Sequence, residues 1–319
     1  MLAIERRTGV TYALTEVDVT DLNPRRCNEL ATSILAQRQL LEPRDIGDEL
    51  HEAKLAGLHE VLQSPARIYL VSQLAPTTGV VADDLLTVLQ CQERSRLPEP
   101  EAKSLFTRLV VATKRAHDCG VVLRNIKPES VQVCQPEEGG AYELILVDLH
   151  CAAAVPLDDE TPTLTGLHGT PEYCAPEVSI WFWHESEPPR LPEPPPAYGS
   201  KADLWALGIC LHVMLCGCFP FSTSLEEEAL LRKINEAEFT FEGSGWGKLS
   251  ADAQDLVQQL LQRDPNDRPY LEEVLQHPFC AEAVQDLMTR ARVHSAPLGD
   301  LSDAALAMLD RATLEEDDE

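Results

Sequence analysis

Apolar and polar positions change period along this chain, and each change marks an element. LAIERR and TYALTEVDV carry β-branched and aromatic residues on either side of Thr8-Gly9, which predicts two strands joined by a turn. In residues 25–41 (RRCNELATSILAQRQLL) the spacing turns helical, with Leu30, Ile34 and Leu41 setting the period. HEVLQSPARIYLVSQL predicts a hairpin, with Ser64-Pro65 in the turn and IYLV as a buried strand. Beyond Pro76 helices dominate: residues 83–91, then 99–117 with Leu105, Leu109 and Ala112 on one face. VQVC and YELILVD bracket Glu137 to Gly140 as a second hairpin. Residues 201–217, 225–236, 250–262 and 270–276 follow as helices. Leu204 to Cys216 is apolar all round, so that helix must be enclosed by protein. PPRLPEPPPAYG (188–199) is excluded from helix and central strand, because proline lacks the donor both require. It is expected as an exposed, polyproline-like insertion loop. No internal repeat is present.

The 319 residues suffice for one large domain or two modest ones, with 44% apolar and 25% charged residues. A net charge of −27 argues against nucleic acid and anionic membrane surfaces as partners and leaves protein partners or peptides. Part of the acid lies in the terminal LEEDDE run, a solvated tail. Ten cysteines are scattered without a CxxC pair, which points to reduced thiols in the cytoplasm and no zinc site. The N-terminus lacks the apolar region of a signal peptide. The most apolar stretch, Leu204 to Phe221, is interrupted by His212 and short for a bilayer. No EF-hand loop of the DxDxDG type occurs, so no intrinsic calcium site is expected.

Seven segments stand in one order: TYALTEV, IYLVSQL, RNIKPES, VDLH, GTPEYCAPE, KADLWALG and RDPNDRPYLEEVLQHPF. Together they resemble the motif series of protein kinases over residues 4–280, most nearly the calcium/calmodulin-dependent group of Ser/Thr kinases. The resemblance implies an α+β, two-lobed kinase fold. A small β-rich lobe would span residues 1–75, without the first strand and its glycine loop. A mainly helical lobe would span 76–280, and 281–319 would form an acidic helical tail. In that tail Leu301, Ala305, Met308 and Leu309 fall on one helical face.

The same resemblance assigns the site. Ala13 and Thr15 match the alanine and lysine of the ATP-binding strand, Gln73 to Ala75 the hinge backbone, and Glu29 the lysine's usual partner. Arg6 or Arg7 is a weaker substitute for the missing cation. Asn125 stands at the catalytic base, where an amide cannot accept a proton. Ser130 stands at a metal-binding asparagine and Leu123 at an architectural histidine, whereas Arg124, Lys127 and the metal-binding Asp148 remain. Glu177, Asp203, Arg268 and Gly208 match structural positions, with Glu177 and Arg268 as a buried ion pair. Thr161, Thr163 and Thr165 are candidate phosphorylation sites that would pair with Arg124. Structural positions are kept and chemical ones altered, so the expectation is a pseudokinase serving as scaffold or allosteric regulator, with weak or no binding of ATP and Mg2+. The alternative is a weakly active Ser/Thr kinase using Asp148, Lys127 and a relocated cation.

Overall fold

A computed structural model describes residues 2–5, 11–20, 24–41, 54–73, 83–134, 143–157, 162–186, 189–191, 193–222, 225–237 and 245–295. The strands β1 (Leu2–Ile4) and β2 (Thr11–Asp18) pair antiparallel, as expected of two β-prone runs on either side of Thr8-Gly9. After helix α1 (Pro24–Gln39) and the short strand β3 (Lys54–Leu55), β4 (Leu58–Gln63) and β5 (Arg67–Gln73) form the predicted hairpin. Its turn is closed by Ser64, whose N–H donates to the Arg67 carbonyl at 2.8 Å and whose hydroxyl accepts from the Arg67 N–H at 3.0 Å. Among the described residues the small-lobe sheet runs β1-β2-β5-β4, with Thr15 opposite Leu70 and Ala13 opposite Ser72.

Helix α1 has the expected period but a different buried face. Leu41 and Leu35 are exposed, and the stripe turned inward is Ser33, Ala36, Gln37 and Leu40. The reason is what the helix meets. It packs on backbone at the junction of the lobes, where the Ser33 hydroxyl donates to the Leu149 carbonyl at 3.3 Å and the Gln39 amide to the Cys119 carbonyl.

The larger lobe begins with β6 (Asp83–Asp84) and α2 (Leu85–Cys91). Asp84 caps α2 by accepting from the Thr87 N–H at 2.8 Å. Helix α3 (Glu99–Asp118) leads to β7 (Val121–Val122), β8 (Val131–Cys134), β9 (Glu143–Leu146) and β10 (Ala153–Ala154). β3 joins β9 in parallel within a sheet of order β3-β9-β8-β6, and β7 pairs with β10. The short helices α4 (Pro176–Ser179) and α5 (Trp181–Glu185) precede α6 (Lys201–Cys216). Every residue of α6 after Lys201 is buried, as its continuous apolarity requires. α7 (Glu227–Glu236), α8 (Ala251–Leu260), α9 (Leu271–Gln276) and α10 (Pro278–Ser295) complete the lobe. α6 and α8 approach closely at Gly208, where a Cβ would stand 2.9 Å from Leu260 and 2.8 Å from Leu261 side-chain atoms.

The proline-rich stretch is only partly the exposed loop expected of it. Pro194 and Pro196 are exposed, but Pro195 and Tyr198 are buried. Tyr198 exchanges both backbone hydrogen bonds with Leu164, and its hydroxyl donates to the Gly166 carbonyl at 3.1 Å. A proline run cannot pair along its length, yet its non-proline end can, and Tyr198 has an aromatic surface to bury. At the other end of the domain α10 passes beyond residue 280, burying Phe279, Cys280, Ala283, Val284 and Leu287, with Phe106 and Phe279 edge to face. Leu301, Ala305, Met308 and Leu309 lie outside the described residues. No helix among the described residues is long and apolar enough to cross a membrane.

Candidate functional site

Asp203, at the start of α6, organises the loop that follows β7. Its carboxylate is 1% exposed and accepts from the backbone N–H groups of Leu123 and Arg124, each at 2.8 Å. Its Oδ2 also meets the His117 Nε2 at 2.8 Å. The helix N-terminus favours the same negative charge. Held in this way, Arg124 adopts a φ of 61°, a left-handed conformation that an arginine keeps only when its surroundings over-determine it. Its guanidinium Nε donates to the Cys151 carbonyl at 2.6 Å.

Asn125 is buried, and its side-chain oxygen accepts from both the N–H of Thr170 (3.1 Å) and its hydroxyl (2.9 Å). The Thr170 oxygen accepts in turn from the Lys127 Nζ at 2.9 Å. A donor, an acceptor and a hydroxyl between them thus tie the catalytic-loop segment to the GTPEYCAPE segment. Ser130 closes on its own turn. Its oxygen accepts from the Lys127 N–H at 3.2 Å, and its hydroxyl faces the carbonyls of Lys127 and Asn125 at 3.0 and 3.2 Å.

After β9 the chain turns at Asp148, which has φ 60° and ψ 53°. The turn brings His150 back onto the carboxylate, Nδ1 to Oδ1 at 2.6 Å, with both side chains partly exposed. The hydrogen bond from His150 holds the Asp148 carboxyl below its ordinary range. The same bond raises the His150 imidazole to about 10, so the pair is imidazolium and carboxylate near neutrality. Leu149, between them, is buried under α1.

The other expected residues fall into four groups. Thr15 is exposed and Ala13 half-buried on β2, and Gln73 ends β5 opposite Tyr12. Ala75, Thr161, Arg6 and Arg7 lie outside the described residues. Glu29, Arg124, Thr163 and Thr165 line one polar cavity of about 590 Å³ between α1 and the segment before α4. Glu177 and Arg268 meet in parallel, Nη1–Oε1 at 2.6 Å and Nη2–Oε2 at 2.7 Å, with the arginine side chain fully buried. Arg268 also donates to the carbonyls of Gln262 and Lys201. A larger cavity, about 940 Å³, lies beside Glu177 and Tyr198, remote in sequence and lining from the Asp148 turn.

Three residues at the centre of this arrangement escaped the residue-by-residue reading. Thr170 and Gly169 were visible only as letters of the GTPEYCAPE segment. His150 was visible only as the last letter of the VDLH segment. Gly169 was detectable in principle: it has φ 97°, and a Cβ there would lie 2.3 Å from the Arg124 carbonyl oxygen.

The geometry is matched by relatedness. A family model described as protein kinase domain matches residues 1–280. The serine/threonine-protein kinase DCLK3 of Mus musculus is 33% identical over 275 residues, which cover 86% of this chain and 30% of that protein. Its Homo sapiens counterpart is 31% identical over 279 residues, covering 87% and 37%. The probable serine/threonine-protein kinase fhkE of Dictyostelium discoideum is 27% identical over 278 residues, covering 87% and 35%. The chain spans about a third of the length of these curated relatives. It belongs to the protein kinase family, close to the calcium/calmodulin-dependent type of Ser/Thr kinase.

Proposed function

We propose that this kinase-like domain acts by binding protein partners, as a pseudokinase scaffold or allosteric regulator in phosphorylation signalling, rather than by transferring phosphate. The observation that carries this reading is Asn125. At the position of the base it presents an amide oxygen that cannot take a proton, and both hydrogen bonds to that oxygen come from Thr170.

Protein kinase domains in general use ATP and Mg2+, and their catalysis rests on neutralising phosphate charge and positioning the hydroxyl. The donor set here fits that group poorly. Thr15 offers an exposed hydroxyl in place of an ammonium, the Ser130 hydroxyl is engaged within its own turn, and Asp148 is engaged by His150. Nucleotide binding is therefore weak or absent in this reading. The acidic net charge of −27 favours partners with basic faces and disfavours nucleic acid and anionic membranes. Free cysteines, several of them buried, fit a reducing, cytoplasmic setting.

A second reading, a weakly active Ser/Thr kinase, draws on one contact. The Lys127 Nζ donates to the Thr170 hydroxyl oxygen at 2.9 Å. A radiolabel transfer assay on a basic peptide separates the two. No transfer above a no-enzyme control is expected. Robust transfer that disappears in Asp148→Ala would establish the second reading instead.

A further inference from the structure

Resting on the pseudokinase reading, we infer that Asp148 is an intramolecular anchor: the His150 ring holds the carboxylate oxygen that faces a divalent cation elsewhere in the family, and this clasp holds the turn after β9. The sequence shows a histidine where the family motif has glycine. The structure shows what that residue does. At φ 60° the backbone of Asp148 folds left-handed, which swings residue 150 back over the carboxylate to a 2.6 Å contact. Glycine at 150 would leave the carboxylate without this partner.

Surrounding contacts point the same way. Leu149, between the clasped residues, is buried, and its carbonyl accepts from Ser33 on α1. The clasp therefore fixes a turn that in turn seats α1. Ser130 contributes no free oxygen toward Asp148, since its hydroxyl serves the Lys127 turn. The carboxylate that the family motif devotes to metal is thus committed to a neighbour two residues away.

A metal ligand and an anchor respond oppositely to loss of charge. A carboxylate held ready for a cation is destabilising in the metal-free protein, so Asp148→Asn would raise stability or leave it unchanged. Asparagine also tolerates the left-handed backbone, so the substitution adds no strain of its own. An anchor instead loses the 2.6 Å hydrogen bond that holds it. The expected result is a melting temperature lowered by about 2 °C in Asp148→Asn and similarly in His150→Gln, the scale of one partly exposed charge-assisted bond in a domain this size. The double variant should lose less than the two singles summed. Millimolar magnesium chloride should leave the wild-type melting temperature unmoved.

Several results would overturn the clasp: Asp148→Asn melting at or above wild type, additive losses in the double variant, or a magnesium-dependent rise that Asp148→Asn removes. These readouts need no phosphotransfer. Transfer activity in the wild type would refute the pseudokinase reading while the sign of the Asp148→Asn effect still decides the clasp.

Discussion

Gly169 lies so close to Arg124 that any side chain between them must displace backbone: a Cβ on Gly169 would stand 2.3 Å from the Arg124 carbonyl oxygen. Two left-handed residues, Arg124 at φ 61° and Gly169 at φ 97°, meet there and let Thr170 reach Asn125. Gly169→Ala should therefore detach the GTPEYCAPE segment from the catalytic loop, at a cost of roughly 1–3 kcal/mol from backbone strain alone. Limited proteolysis would read it as faster cleavage within residues 162–175, alongside a lower melting temperature. Unchanged cleavage would mean that the two segments separate without cost.

Glu177 and Arg268 form a buried ion pair, with the arginine side chain at 0% exposure and two parallel bonds at 2.6 and 2.7 Å. Glu177→Ala strands that guanidinium and should cost about 3–5 kcal/mol in urea unfolding. The double variant Glu177→Leu with Arg268→Met should lose less than Glu177→Ala, because no buried charge is left behind. A double variant worse than the single would point instead to the Arg268 bonds with Gln262 and Lys201 as the main support.

His212 supplies a pH dependence. It lies inside α6, stacked on Trp246, and its Nδ1 donates to the Cys218 carbonyl at 2.9 Å, so protonation must occur at the buried Nε2. Burial lowers its pKa from 6.5 to about 4. Folding thus disfavours the proton that the unfolded chain binds between these values. The stabilisation is complete above pH 6.5 and is lost as pH falls toward 4, by up to about 3 kcal/mol. Urea unfolding of wild type and His212→Asn at intervals between these pH values should show the difference in slope, steeper in the wild type. Parallel curves would place the acid sensitivity elsewhere.

Arg124, Thr163 and Thr165 share one polar cavity, and both threonines are exposed. A phosphate on Thr163 or Thr165 is expected to draw the guanidinium from the Cys151 carbonyl into charge-assisted bonds and to order the segment. Protein prepared with phosphothreonine at either position should be cleaved several-fold more slowly there, and Arg124→Ala should abolish the protection. Equal rates with and without phosphate would leave Arg124 as a support for the Cys151 turn alone.

Read alone, the chain yields its elements and its losses. β-Branched and aromatic runs placed β2 and the β4–β5 hairpin, helical spacing placed α3, and continuous apolarity placed α6, all within a few residues of their observed ends, because such patterns report local backbone geometry. Thr15, Asn125 and Ser130 were legible as chemical departures, since a residue's donors and acceptors are intrinsic to it. Tertiary structure alone decided which groups those residues meet. Asn125 faces Thr170 across 45 positions, and Tyr198 pairs with Leu164 across a proline run. α1 turns Ser33 and Gln37 inward instead of Leu41, because Ser33 meets the Leu149 carbonyl on the surface it covers and Gln37 donates to Ser33. The Asp148–His150 contact, only two residues long, still waits on the fold, because a left-handed aspartate is unfavourable until packing around Leu149 holds it. Periodicity encodes which side of an element is apolar; the partner on that side is set by chain segments that no local pattern contains.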